Sequence, residues 1–243
     1  MRARGLVTTA IVLTLGLAAC GGSSSSSGKS AQTQNVVADK AAAEAAALKL
    51  ADLPAGWTAT PATKTPDAPG VDAQLATCLG VSVAELDKSG PADFKSDDLS
   101  DANNNTVSNS VGYAPSADQA KKEFAIFKDP KVPGCLGTAL SNFLTYQIKH
   151  PTNPSDSIPD SVSFGTPTVA PLSVATVGDQ TAAYRVTIPV TALGQTVNAY
   201  ADFLIAVKGR VGVEMDFEAV GKPFPADQEQ QYLQKVIGRL ANT

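Results

Sequence analysis

The chain has 243 residues, 43% of them hydrophobic and 17% charged, with 19 basic against 23 acidic side chains and a formal net charge of −4. A mildly acidic chain without a basic cluster argues against nucleic acid as a partner and against docking on anionic lipid by charge. Past the N-terminal segment, no apolar stretch approaches the ~18 residues that a membrane-spanning helix needs.

At the N-terminus, Arg2 and Arg4 precede an uncharged apolar run from Gly5 to Ala19. That pattern predicts a secretory signal peptide over residues 1–19, too short to span a bilayer as a stable helix. The cleavage zone Leu17-Ala18-Ala19-Cys20 resembles the bacterial lipoprotein signal, the lipobox, at all four positions. The resemblance implies a diacylglycerol on the Cys20 thiol, cleavage just before it, and an N-acyl lipid such as palmitate on the new amine. These covalent lipids are the only cofactors expected. They would hold the chain on the extracytoplasmic face of the cell membrane, where each buried acyl methylene contributes roughly 0.8 kcal/mol. The alternative is an ordinary small-residue cleavage site that ends in Cys. Residues 20–35 are rich in Gly and Ser and predict a flexible tether with a reach of about 20 Å. Loss of residues 1–19 removes Arg2 and Arg4, leaving 17 basic against 23 acidic side chains, a net charge of −6.

Two cysteines remain, Cys78 and Cys135. In an oxidising exported compartment an even pair normally becomes a disulfide, and closing so long a loop stabilises a fold by about 4 kcal/mol. Two free thiols or a metal pair are the alternatives.

Residues 36–243 read as a single extracytoplasmic domain. The stretch VVADKAAAEAAALKLA, residues 36–51, is built from the strongest helix formers and ends before Pro54 and Gly56, with Trp57 following. Pro61, Pro66 and Pro69 mark an irregular connection. Residues 71–79 and 82–87 predict short helical turns, the second opened by Ser82 with Glu85 three places on. Residues 104–114 alternate as a strand, residues 117–127 follow Ser116 as a helix, and residues 135–149 form a longer one. After a polar, Pro-rich loop come four strands, residues 161–169, 181–191, 196–208 and 210–220, turning at Gly194 and Gly209. Tyr232, Leu233, Val236, Ile237 and Leu240 then share one face of a closing helix. The expected fold is α+β, an antiparallel sheet of about five strands with helices on one face and one disulfide.

Three stretches carry a family resemblance: Ala51-Asp52-Leu53-Pro54-Ala55-Gly56-Trp57, the 117–127 helix leading into Pro133-Gly134-Cys135-Leu136, and the ending from Phe203 to Arg210. Together they resemble exported actinobacterial lipoproteins. More distantly they are similar to the extracellular sensor-like domain of mycobacterial receptor kinases. That resemblance implies an α+β, disulfide-bearing domain with a ligand cleft. The chain departs from the kinases in having one expected disulfide instead of two and no kinase portion, and no functional residue carries over.

Catalytic constellations are scarce. The single histidine, His150, sits at a helix end before Pro151, where a favourable dipole interaction accounts for it. There is no G-x-S-x-G, and the only S-x-x-K, Ser26 to Lys29, lies in the tether. Zinc lacks ligands. Asp101, Asn103 and Asn105 imitate the start of a calcium loop, but Thr106 and Gly112 stand where Gly and Glu belong, which favours an Asn-rich turn. Glu214, Asp216 and Glu218 alternate with Val213, Met215 and Phe217, so the carboxylates share one sheet face. They read as a solvated outer face, or as an acidic stripe for a cation or a basic partner. Trp57 reads as core, or as a residue lining a pocket. The resulting expectation is no enzyme but a membrane-anchored module that binds an envelope lipid, small molecule or protein, with Trp57, Glu214, Asp216 and Glu218 as candidate contacts. A structural or adaptor lipoprotein of an envelope complex, or an envelope hydrolase with an unrecognised site, are the alternatives.

Overall fold

The structure, a computed structural model, describes residues 35–62, 70–86, 92–150, 158–159 and 161–240. The expected signal peptide, Cys20 and nearly all of the tether lie outside the described residues, as does most of the Pro-rich loop before residue 158. Three long strands form the frame: β7 (Gln180–Ala192), β8 (Gln195–Lys208) and β9 (Val211–Val220). Two-residue turns join them, and Leu193 and Gly194 both take positive φ, 52° and 76°, the geometry that matches a tight hairpin to strand twist.

The sheet is wider than the five strands expected. Strand β4 (Thr106–Tyr113) pairs with β9, and the short strands β1 (Thr58–Thr60), β2 (Phe94–Lys95) and β3 (Asp98–Ser100) extend that side. Strands β5 (Val162–Phe164) and β6 (Thr168–Pro171) pair with β7 on the other. Nine antiparallel strands result, in the order β1-β3-β4-β9-β8-β7-β5, with β2 on β4 and β6 on β7. The added strands are two to four residues long, too short to show a period of two, and the expected strand 161–169 is split between β5 and β6, with Pro167 in the gap.

The helices are α1 (Val36–Ala46), α2 (Val71–Leu79), α3 (Val83–Leu86), α4 (Ala117–Ile126), α5 (Val132–Lys149) and α6 (Ala226–Arg239). Their starts follow local chemistry. Asn35 and Ser116 accept from the N–H groups of Ala38 and Gln119, and Ser82 and Glu85 form a reciprocal capping box. Helix α1 stops five residues short of the expected end, since beyond it the Leu48 N–H turns away to donate to Asn109 Oδ1 at 2.9 Å.

The helices lie on both faces of the sheet, and this corrects the expectation of one. Leu204 and Ala206 of β8 pack with α1 and α6, in a core that also holds Val213, Met215 and Phe217. Ile205 and Val207 pack instead with Ala120 and Phe124 of α4, and Phe203 with Leu136, Leu140 and Leu144 of α5. Successive strand residues point to opposite faces, so a strand apolar at every position demands two covers.

Helix α2 lies on α5, and the Cys78–Cys135 disulfide joins them with 5.6 Å between Cα atoms. On the other face two arginines fix α1. Arg210 forms a forked pair with Asp39 and rests 4.7 Å from the Tyr113 ring centre. Arg239 pairs with Asp52 and donates to the carbonyls of Ala46 and Ala47 at the end of α1, where a cation is favoured. Burial works against the Asp52 charge, but Arg239, the Lys49 N–H and Lys235 together hold its carboxyl below the usual range. Among the described residues no helix is long and apolar enough to cross a membrane.

Reduction of Cys78–Cys135 is expected to lower stability by about 2–4 kcal/mol, because α2 is held to α5 across a 57-residue separation. Urea unfolding with and without reductant measures this; identical midpoints would contradict it.

Candidate functional site

Strand β9 places Glu214, Asp216 and Glu218 on the face that carries α4 and α5, in the alternation its sequence predicts. Their environment is the correction. Glu214 is only 2% exposed, Asp216 6%, and Glu218 is half-buried, so the row is not a solvated outer face. The reason is positional: β9 is interior to the sheet, between β4 and β8. Glu214 stands between Ser110 and Ile205, Asp216 between Ser108 and Phe203, and Glu218 between Thr106 and Ala201. Helices α4 and α5 rise on Ile205 and Phe203, and the row lies in their lee.

Burial without partners sets the electrostatics. Among the described residues, Glu214 Oε1 and both carboxyl oxygens of Asp216 have no hydrogen-bond partner. Burial, then the neighbouring Asp216, pushes the Glu214 carboxyl well above its ordinary value, with Lys95 pulling weakly the other way. Burial raises Asp216 as well, against Lys95 and with Asp98. Glu218 is pushed up to about 8 by burial, Asp216 and Asp98. Lys95 lies across the sheet on β2, paired in register with Ser110. Same-face residues along a strand are about 7 Å apart, and among the described residues no three His, Cys, Asp or Glu side chains converge to hold a metal ion.

Next to this row the sheet is hollow. Gly112 of β4 and Gly212 of β9 are register partners on the same face, and two missing side chains leave a floor without relief. A narrow cleft of about 30 Å³ lies over that floor. Ala120, Phe124 and Phe127 wall it on the helical side, Ile205 and Val207 on the sheet side, with Asp93 and Glu123 as its carboxylates. A Cβ on Gly112 would stand 2.7 Å from Asp93 Oδ1, so glycine is required for that carboxylate to lie against the strand.

Other candidate residues lie elsewhere. Trp57 packs 6.3 Å from Phe224 in the core shared by α1 and α6, on the opposite side of the sheet from the carboxylate row. Asp101 accepts from the N–H groups of Asn103 and Asn105 and from both their side-chain amides. Burial opposes its charge, but those bonds outweigh it and hold the carboxyl low, as a self-satisfied Asn-rich turn does. His150 ends α5, its ring edge-on to Tyr146 at 4.4 Å.

One charged group went unnoticed in the sequence. Arg185 of β7 donates to both oxygens of Asp202 at 2.7 and 2.6 Å, and its Nη2 is 3.9 Å from Oε1 of the fully buried Glu229 on α6. Burial, then Asp202, raises the Glu229 carboxyl well above its ordinary range. The signal was present: Glu229 falls three and four residues before Tyr232 and Leu233, inside the apolar stripe of its helix.

No protein-family model matches the chain, and no curated protein shows significant similarity to it. Among solved structures the chain is similar to the extracellular domain of PknH from Mycobacterium tuberculosis, at 13% identity and a TM-score of 0.32. The match covers 60% of this chain and 63% of that one, so the chain spans less than two thirds of that domain's length.

The raised carboxyls dictate the sign of the pH dependence. Below about pH 4.5 these groups are protonated folded or unfolded and cost nothing; above it the unfolded chain releases protons that the folded one retains. Stability therefore falls as pH rises from about 4.5 to about 8, the window set by Glu218. The urea midpoint is expected to be higher at the acid end of that window, and Glu218→Gln to flatten the decline. A midpoint that rises with pH would contradict the burial of this row.

Proposed function

We propose that the chain is a non-enzymatic, extracytoplasmic binding domain, held at the membrane through lipid on Cys20, that takes a small ligand in the cleft between α4 and the sheet. The observation that carries the reading is a narrow cleft over the Gly112–Gly212 floor, with buried carboxyls that have no hydrogen-bond partner among the described residues two and four positions further along β9. A buried carboxyl without a hydrogen-bond partner is costly, whether as a charge or as a neutral acid, and an apolar residue in its place would be more stable. Such groups are characteristic of binding and catalytic sites rather than of stability. Binding is favoured over catalysis because the single histidine stands at the end of α5 against Tyr146 and the cleft residues include neither histidine nor cysteine. The Cys78–Cys135 disulfide suits an oxidising, exported compartment, and the Leu17-to-Cys20 pattern supplies the means of anchorage.

Two measurements test the parts separately. Cys20→Ser is expected to move the chain from the membrane fraction to the soluble one; retention in the membrane would remove the lipid anchor from the reading. Native mass spectrometry of the full chain, taken gently from its own cells, should show a bound adduct that is lost when Gly212→Val fills the cleft floor. A clean apo mass, with no thermal shift against envelope lipids, would overturn ligand binding.

A further inference from the structure

We infer that Glu229 is held in the fold as a carboxylic acid that donates its proton to Asp202, so that α6 is latched to β8 by a proton that an alkaline solution withdraws. The latch lies on the face that carries α1 and α6, opposite the cleft over Gly112 and Gly212, so it stands or falls independently of the binding role proposed above.

Three charged groups meet there in a dry place. Asp202 on β8 is 1% exposed, and Glu229, in the first turn of α6, is fully buried. One cation serves both, Arg185 of β7, the register partner of Asp202. Its Nε and Nη2 donate to the two oxygens of Asp202 at 2.7 and 2.6 Å, whereas Nη2 is 3.9 Å from Glu229 Oε1, beyond hydrogen-bond reach. The guanidinium is therefore committed to Asp202. Were Glu229 ionised as well, the interior would hold a surplus negative charge, and two sets of acceptors would face each other. Among the described residues neither oxygen of Glu229 has a hydrogen-bond partner, and an ionised carboxylate has no proton to give. One proton on Glu229 removes both faults, cancelling the surplus charge and turning an acceptor into a donor. Asp202, the carboxylate held in the fork, accepts it.

Among the described residues no second cation stands close enough to replace that proton. On the same face of β8 the neighbour of Asp202 is Tyr200, and on β9 Phe217 and Ala219 stand opposite these two. Helix α1 brings Ala43 and Ala46 to this core, its Asp39 is taken by Arg210, and its Lys40 and Glu44 are exposed. Along α6, Asp227 is exposed, Tyr232 packs against Phe217, and Lys235 and Arg239 reach Asp52. The first turn of a helix ordinarily suits a carboxylate. Here burial, then the hydrogen bond to Asp202 and its charge, push the Glu229 carboxyl up to about 9 against the pull of Arg185. Stability linked to this group is fully present below the ordinary value of 4.5 and is lost as pH rises towards about 9. Once the proton has left to solvent, the repulsion between the two carboxylates falls on the start of α6.

The test follows the side-chain carboxyl carbon of Glu229 by NMR in the full chain, from about pH 4 to about pH 10, with the protection of α6 amides against hydrogen exchange. The resonance, identified by its loss in Glu229→Gln, is expected to titrate with a midpoint near 9, and the α6 protection factors to fall as it does. Glu229→Gln, whose amide donates to Asp202 in place of the acid, should keep that protection at alkaline pH. Asp202→Asn frees Arg185 for Glu229, leaving one cation to one carboxyl, and should weaken the proton affinity of Glu229 about tenfold or more. Burial acting alone predicts no such drop. Should Asp202→Asn not fold, the midpoint in the unaltered chain and the protection in Glu229→Gln decide. A Glu229 midpoint near the ordinary 4.5, a proton affinity unmoved by Asp202→Asn, or α6 protection that declines equally in Glu229→Gln would each overturn the latch.

Discussion

Strand β8 is buried on both faces, and most of the molecule is arranged to satisfy it. From Phe203 to Val207 none of five consecutive residues is more than 3% exposed. A single helical layer would leave half of this run in water, at roughly 1.5–3 kcal/mol for each large side chain. Two layers are therefore required. Helices α1 and α6 cover Leu204 and Ala206, and α4 and α5 cover Phe203, Ile205 and Val207. The remaining devices hold those layers in place. Arg210 and Arg239 fix α1 through Asp39 and Asp52, and the disulfide ties α2 down on α5.

The same constraint explains where the charges end up. Polar residues of strands next to a doubly covered strand fall under its covers. On one face Asp202, itself part of β8, is answered by a forked bond from Arg185, and beside it burial and Asp202 push the Glu229 carboxyl up. A carboxylate desolvated in that way is compensated by two short charge-assisted bonds. On the other face Glu214 and Asp216 stand between the hydroxyl-bearing strand β4 and the apolar Ile205 and Phe203, and three of their oxygens have no hydrogen-bond partner among the described residues. Asp202 is paired, but Glu229 beside it shares with Glu214 and Asp216 the lack of a hydrogen-bond partner among the described residues, so buried unpartnered carboxyls stand on both faces of the sheet.

Glycine completes the site. Side chains at positions 112 and 212 would fill the space between α4 and the sheet, and their absence converts a packed interface into a narrow cleft, two residues along β9 from Glu214. The flanking valines on both strands face the other core, so the hollow costs that core nothing.

Much of this was legible in the chain. The hairpin turns at Gly194 and Gly209, the capping box at Ser82 and Glu85, the even cysteine pair and the alternation of Glu214, Asp216 and Glu218 are local facts, decided by backbone freedom, side-chain reach and a period of two. The double burial of β8 was legible too, since FLIAV shows no alternation, as was Glu229 within the apolar stripe of α6. What the chain alone could not decide is what lies across a gap in space. Whether three same-face carboxylates are wet or dry depends on the strand that pairs beside them and on the helices above that strand. Trp57 and the acid row, both reasonable contacts, are set on opposite sides by the sheet between them. Period and propensity are properties of neighbours in sequence, whereas burial, partnering and the meeting of Gly112 with Gly212 arise from contacts between segments that only the folded chain brings together.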